Sequence, residues 1–394
     1  MAVCAVGNPL DCQLLNNSNI IGPYQMSHFQ LTCPRCGKSR PADMSPKACL
    51  DCDSPLDVTY FSDVRHHQGM PTPVHDPKSA LTLGEGDTPV TKLTTIGENL
   101  PIRKLYAKLE FLNPTGSFKD RGTASMLSVA QEHGVIELVE DSSGNAGASV
   151  SAYAARAGIK SHIFVPADAP EAKLRQIKAY GTVVHSIEGS RSAVTAAAID
   201  YCHDHGLVYA SHMLSPYFAE GTKAFAYEVA DQFGREIPPN IVFPVGNGSL
   251  LIGAYNGFRE LRRSGHIDQI PKLHCVQSRN VMPLVSAFNG QDWHADQAVK
   301  TIAGGISIAV PSRQWQILEI LRLTGGSAVA VGESSILQMQ RDLAEQEGIF
   351  AEPTSAAAFA GLETLADNGV IPSCGDVLVP VTGFGLKDEP PPSS

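Results

Sequence analysis

The spacing of hydrophobic and polar positions changes repeatedly along this chain, and the changes follow a regular order. "KLYAKLEFL" (104–112) reads as a strand and "SFKDRGTASMLSVAQEHG" (117–134) as a helix. "IELVEDSS" (136–143) reads as a strand, and "NAGASVSAYAARAG" (145–158) as a helix rich in small residues. The pattern continues with the strand "SHIFVP", the helix "EAKLRQIKAYG", the strand "TVVHSIEG" and the helix "SRSAVTAAAIDYCHDHG". It resumes at "NIVFPVGNGS" (240–249), the helix "LLIGAYNGFRELRRSG" and the strand "KLHCVQS". "GSAVAVG", a helix over 334–347, the helix "PTSAAAFAGLETLADNG" and the strand "GDVLVPVTGFG" complete it. Short apolar strands alternating with longer helices predict mostly parallel sheets wrapped by helices. There are too many strands for one tidy sheet. The expected fold class is α/β, with two open, mostly parallel sheet domains and a cleft between them; the pattern fixes no boundary between the two and leaves insertion of one within the other open.

The flanks lack this period. Residues 1–28 have neither a basic start nor a long apolar run, so they predict a disordered extension rather than a signal peptide. Residues 389–394 predict a disordered tail. Between them lies "CPRCGKSRPADMSPKACLDC", two Cys-x2-Cys pairs twelve residues apart. Two such knuckles bring four thiolates to one tetrahedral zinc. Residues 29–58 are therefore expected to form a zinc ribbon with Cys33, Cys36, Cys49 and Cys52 as ligands. With four cysteine ligands there is no open position for catalysis, so the metal is structural. His66, His67 and His75 read as loop residues. The catalytic region is expected over 80–388.

Composition adds exclusions. The chain has 394 residues and a formal net charge of −10, which argues against nucleic-acid or anionic-membrane binding. No apolar run reaches the roughly 18 residues of a membrane span. The nine cysteines show no disulfide-like pattern beyond the ribbon, which points to the cytoplasm.

Four stretches carry candidate chemistry. In "NPTGSFKDRG" (113–122), Ser117 and Asp120 have the spacing of a capping box, which puts Lys119 in the first turn of a helix. The helix start and desolvation both favour a neutral amine there, the form a Schiff base with an aldehyde cofactor needs. Taken alone, a first-turn lysine is usually a solvated surface residue. "SSGNAG" (142–147) is a strand-to-helix turn whose backbone N–H groups suit a carboxylate, with Asn145 free to hold a ring oxygen. "PVGNGSLLIG" (244–253) offers backbone N–H groups and the Ser249 hydroxyl to a small phosphate, without the lysine of a Walker loop. "VLVPVTGFG" (377–385) ends a buried strand at Thr382, whose hydroxyl suits a pyridine nitrogen. Each stretch alone has an ordinary reading as a capped turn. Together, an amine, a phosphate cup, an asparagine loop and a hydroxyl describe pyridoxal phosphate.

These motifs resemble those of the fold-type II pyridoxal-phosphate enzymes, most closely the threonine synthases, over about Gly84 to Asp388. "TIAGGISIAVPSR" (301–313) and "VTGFGLKD" (381–388) add to the likeness, and one branch of that family carries a similar cysteine ribbon. The resemblance implies that Lys119 binds the cofactor covalently and then shuttles protons. It implies that Asn145 contacts the phenolic oxygen, that Gly246, Asn247, Gly248, Ser249 and Leu250 wrap the phosphate, and that Thr382 faces the ring nitrogen. Ser142, Ser143 and Ala146 are implied near the substrate carboxylate. The implied reaction converts O-phospho-L-homoserine and water to L-threonine and phosphate, in a homodimer. Arg121, Lys223 and Arg313 are candidates for the substrate phosphate. There is one departure: Ala146 stands where threonine synthases often carry a threonine hydroxyl. That keeps open a serine or threonine dehydratase, a cysteate-synthase-like β-replacement enzyme, and a non-catalytic binding protein.

Overall fold

The computed structural model describes residues 28–388 apart from 45–47, 62–65, 68, 77–79 and 235, and only the backbone at 66 and 67. The expectations for residues 1–27 and 389–394, and for the side chains of His66 and His67, lie outside the described residues.

Strands β1 (Phe29–Thr32), β2 (Ser39–Arg40) and β3 (Asp57–Tyr60) form an antiparallel sheet in the order β2-β1-β3. The hairpin β4 (His66–His67) and β5 (Met70–Pro71) follows. Then come β6 (Val90–Leu93), β7 (Lys104–Lys108), β8 (Glu137–Glu140), β9 (Lys160–Pro166), β10 (Val183–Ile187) and β11 (Val208–Tyr209). The last four strands are β12 (Asn240–Pro244), β13 (Lys272–Ser278), β14 (Ala328–Val331) and β15 (Asp376–Pro380).

Two sheets emerge, as the alternation implies. The smaller is all parallel, in the order β10-β9-β8-β11. The larger runs β14-β13-β12-β15-β7-β6 and is parallel except for β6 at its edge. The smaller sheet is inserted in sequence between β7 and β12. Strands covered on both faces must be apolar throughout, and β15, "DVLVP", is buried at every position.

Two local expectations need correction. The strand read over 104–112 stops at Lys108, and Glu110–Leu112 turn in a 3₁₀ arc. The cause is Glu110: its buried carboxylate is held by Arg121, and a straight strand would not aim it there. The capping box also fails to form. The helix Lys119–Glu132 starts after Phe118, and Asp120 instead takes the backbone N–H and hydroxyl of Thr115 at 2.7 and 2.6 Å. The carboxylate thus closes the Pro-Thr-Gly turn rather than the helix end, and the Ser117 hydroxyl is left buried without a partner among the described residues.

Candidate active site

Three neighbouring strands of the larger sheet, β12, β15 and β7, run parallel and deliver three of the four stretches from their carboxyl ends. Ligands gather at such strand ends in open α/β sheets. After β7 the chain reaches Lys119, after β15 it reaches Thr382, and after β12 it reaches Gly246 to Ser249. The Lys119 turn packs back on the Thr382 turn: the Phe118 N–H donates to the Thr382 carbonyl at 3.1 Å, and Ser117 bridges Gly383.

Two cups of free backbone donors face this region. Among the described residues, the N–H groups of Gly246, Asn247, Gly248, Ser249 and Leu250 have no acceptor. They open the helix Ser249–Arg263, where helix-start donors and dipole favour an anion. Gly248 takes φ +78°, which turns the loop into the helix at no steric cost. The N–H groups of Ser143, Asn145, Ala146 and Gly147 are likewise without an acceptor, at the start of the helix Asn145–Ala157. A dianionic phosphate and a carboxylate fit these cups.

Lys119 is partly buried, and its Nζ has no hydrogen-bond or ion-pair partner among the described residues. It sits 4.6 Å from the Phe118 ring centroid and 5.6 Å from that of Phe218. Desolvation pulls its pKa down to about 8, although Glu140 and Glu352 push the other way. Lowered to about 8, the amine gives up its proton far more readily than an ordinary lysine, and the neutral form is the one that attacks an aldehyde.

Asn145 and Thr382 come from different sheets and meet on one side chain that the sequence reading passed over. Glu352 accepts from Asn145 Nδ2 at 2.8 Å and from Thr382 Oγ1 at 2.8 Å. Ser355 Oγ lies 2.9 Å from Thr382 Oγ1, and Lys387 Nζ donates to Asn145 Oδ1 at 3.1 Å. Burial raises the Glu352 carboxyl above the usual range, against the two hydrogen bonds that stabilise its charge. The available signal was a glutamate directly before Pro353, at a helix start where Ser, Thr, Asp or Asn is the usual cap.

The three cations considered for a substrate phosphate are already committed. Arg121 pairs with Glu110 and Glu228 at 2.6 and 2.5 Å. Lys223 pairs with Glu220 and Glu260 at 2.5 and 2.8 Å. Arg313 lines a cavity beside Asn247 and Ser249, but its guanidinium is held by Asp57 at 2.7 Å and by the Leu56 carbonyl at 2.9 Å. Ala146 contributes only a buried methyl.

At the N-terminus the four cysteine Sγ atoms lie within 4.8 Å of one another. The two knuckles match: Gly37 N–H donates to the Cys33 carbonyl and Asp53 N–H to the Cys49 carbonyl, with φ +75° and +55° at the turning residues. Four converging sulfurs on matched turns fit a tetrahedral zinc. The ribbon is tied to the body by Asp57 on Arg313 and by the Tyr60 hydroxyl donating to Glu220 at 2.5 Å.

An amine without an ion-pair partner, flanked by two anion cups and a neutral hydroxyl, suits pyridoxal phosphate, and the family comparison agrees. The chain belongs to the pyridoxal-phosphate dependent enzyme family, whose model matches residues 81–383. Threonine synthases are among its sequence relatives. That of Methanosarcina acetivorans is 35% identical over 377 residues, covering 91% of this chain and 92% of that protein. That of Methanocaldococcus jannaschii is 32% identical, covering 90% and 92%. Among solved structures, maize serine racemase superposes with a TM-score of 0.67 at 22% identity, covering 76% of this chain and 88% of that one. The processed form of threonine deaminase isoform 2 from Solanum lycopersicum gives 0.63 at 20%, covering 75% and 79%. These two show the shared fold.

Proposed function

We propose that this protein is a pyridoxal-phosphate-dependent threonine synthase, which converts O-phospho-L-homoserine and water to L-threonine and phosphate. The observation that carries the reading is Lys119, a desolvated amine without an ion pair at the strand ends where two N–H cups open. Bound there, pyridoxal phosphate supplies the electron sink that labilises bonds to the substrate carbons.

The chain's own residues do the rest. The N–H groups of Gly246, Asn247, Gly248, Ser249 and Leu250 hold the cofactor phosphate. Asn145 and Thr382 would hold its ring, and Glu352, which accepts from both side chains, fixes their positions. Lys119 would hold the cofactor through its aldehyde carbon, and its amine would take and return protons at the substrate carbons. Ser142, Ser143 and Ala146 present the second cup to the substrate carboxylate. Thr382, a neutral hydroxyl, does not protonate the ring nitrogen. That limits carbanion stabilisation and favours loss of the leaving group.

A second reading has its own support: a relative that eliminates from an unphosphorylated hydroxy-amino acid, such as a serine or threonine dehydratase. Arg121, Lys223 and Arg313 all carry other partners, and Ala146 lacks a hydroxyl. A substrate panel separates the two. Phosphate and threonine from O-phospho-L-homoserine support the first reading, and ammonia and keto acid from L-serine or L-threonine support the second.

The remaining features are read by resemblance and composition. Cys33, Cys36, Cys49 and Cys52 hold a structural zinc in a ribbon over residues 29–58, ahead of a catalytic region over 80–388. The enzyme works as a cytoplasmic homodimer on a small amino-acid substrate. Among the described residues, no helix is long and apolar enough to cross a membrane.

A further inference from the structure

Beside Lys119 lies a pair of titratable groups that no step above uses. His212 Nδ1 is 2.9 Å from Glu140 Oε1, and the His212 backbone N–H donates to the other oxygen at 3.4 Å. The Glu140 side chain is wholly buried. His212 Nε2 has no partner among the described residues, and the ring lines the cavity shared with Asn247, Ser249 and Arg313. Phe218 neighbours both centres, its ring centroid 5.8 Å from that of His212 and 5.6 Å from Lys119 Nζ.

We propose that Glu140 and His212 form a proton relay serving the oxygen that leaves, and then the oxygen that joins, the substrate side chain. The proposal rests on the threonine-synthase reading for its substrate. Lys119 removes a proton from Cβ, and the electron pair of that C–H bond becomes the new carbon–carbon π bond. The Cγ–O bond breaks with its pair remaining on the phosphate oxygen. That oxygen takes the proton of His212 Nε2, while Nδ1 receives the proton of the Glu140 carboxyl. When water adds at Cβ the relay runs backward: Nε2 accepts the water proton, and the Nδ1 proton returns to the Glu140 carboxylate. Lys119 returns its proton to Cγ, where the electron pair of the carbon–carbon π bond forms the new C–H bond. The cycle closes with no net proton gained by the pair.

The surroundings suit this role. Desolvation and the neighbouring Asp141 hold the Glu140 carboxyl well above its usual range. Desolvation and Lys119 hold the His212 imidazole well below its own, with Arg191 acting the same way and Asp141 opposing. The pair therefore keeps its proton on glutamate and the ring neutral, with Nδ1 on Glu140 and Nε2 carrying the hydrogen on a residue that lines the cavity. Other charged groups facing it are Arg191, which pairs with Asp141 at 2.9 Å, and Arg313 across the cavity. The sequence cue was a carboxylate pair, Glu140-Asp141, where the strand Glu137–Glu140 ends.

The test uses cofactor-loaded His212→Gln and Glu140→Gln enzymes with O-phospho-L-homoserine. Two rates are followed: exchange of the α-proton in deuterated water and release of phosphate. The relay predicts exchange within a few-fold of wild type and phosphate release reduced by about 10² or more, the usual scale of a lost general acid or base. It also predicts loss of the corresponding limb in the pH profile of release. Glutamine at 140 keeps a hydrogen bond to Nδ1 but cannot pass the proton, so it separates relay from packing. Phosphate release near the wild-type rate in either loaded variant overturns the proposal, as does a parallel fall in exchange and release. If wild-type enzyme releases no phosphate, the substrate reading fails by itself. The same two rates are then read with L-threonine and ammonia, where the relay predicts the same split and equal rates in variant and wild type refute it.

Discussion

Lys119 and Lys223 are two desolvated lysines with opposite fates. Lys223 is completely buried yet fully charged: Glu220 and Glu260 lie at 2.5 and 2.8 Å, and they raise its pKa against the burial that opposes them. Lys119 has no carboxylate in contact, only two aromatic rings, and burial wins. A buried charge needs a partner at close range. Where one is supplied the lysine becomes structural, and where it is withheld the lysine gives up its proton easily. The region around Lys223 ties the ribbon to the body through Tyr60 and Glu220, and the region around Lys119 is left open to a ligand.

Substitutions should separate the two roles. Lys119→Ala is expected to lower turnover by at least about 10⁴-fold, the scale of losing a residue that acts covalently. Its unfolding midpoint should stay close to that of wild type, since no ion pair is broken. Steady-state kinetics and denaturant melts check both halves. Lys223→Met should do the reverse: it strands the buried Glu220 carboxylate, takes a partner from the half-buried Glu260, and should cost ~3–5 kcal/mol of stability, read from the same melts. A Lys223→Met enzyme as stable as wild type would contradict the structural role.

The pH dependence sharpens the contrast. Capture of pyridoxal phosphate by apoenzyme needs the neutral amine. With Lys119 at about 8, the capture rate should rise roughly tenfold per pH unit below that value and level off above it. A rate that climbs steadily to about pH 10.4, the ordinary lysine value, would show that the amine is not desolvated. The smallest expected effect lies at the ribbon. Asp57→Asn weakens the hold on Arg313 and should cost about 1–3 kcal/mol, with catalysis reduced only modestly. Chelator-stripped enzyme should show a lowered melting temperature, and elemental analysis finding no zinc in chelator-free preparations would remove the metal.

Much of this was legible in the chain. The alternation of period 2 and period 3.6 marks most strands and their helices, and the Gly-rich loops announce themselves because tight turns into helices need them. Two kinds of feature were not legible. The helix Pro216–Thr222 carries a weak pattern because every one of its residues is buried and no polar face remains. Pairings across long sequence gaps leave no local trace either: Asn145 with Glu352, Arg313 with Asp57, and Glu140 with His212. The lysines show the same limit. Nothing in "TKAFAYE" or "SFKDRG" tells which amine will meet two carboxylates and which will meet none.

The central claim is that Lys119, alone among the lysines, carries the cofactor. Borohydride reduction of the loaded enzyme, followed by peptide mapping, tests it most directly. The account predicts one labelled peptide, containing Ser117-Phe118-Lys119-Asp120, with the modification on Lys119. A label on Lys387 or any other lysine, or no label at all in a folded protein supplied with pyridoxal phosphate, would contradict it.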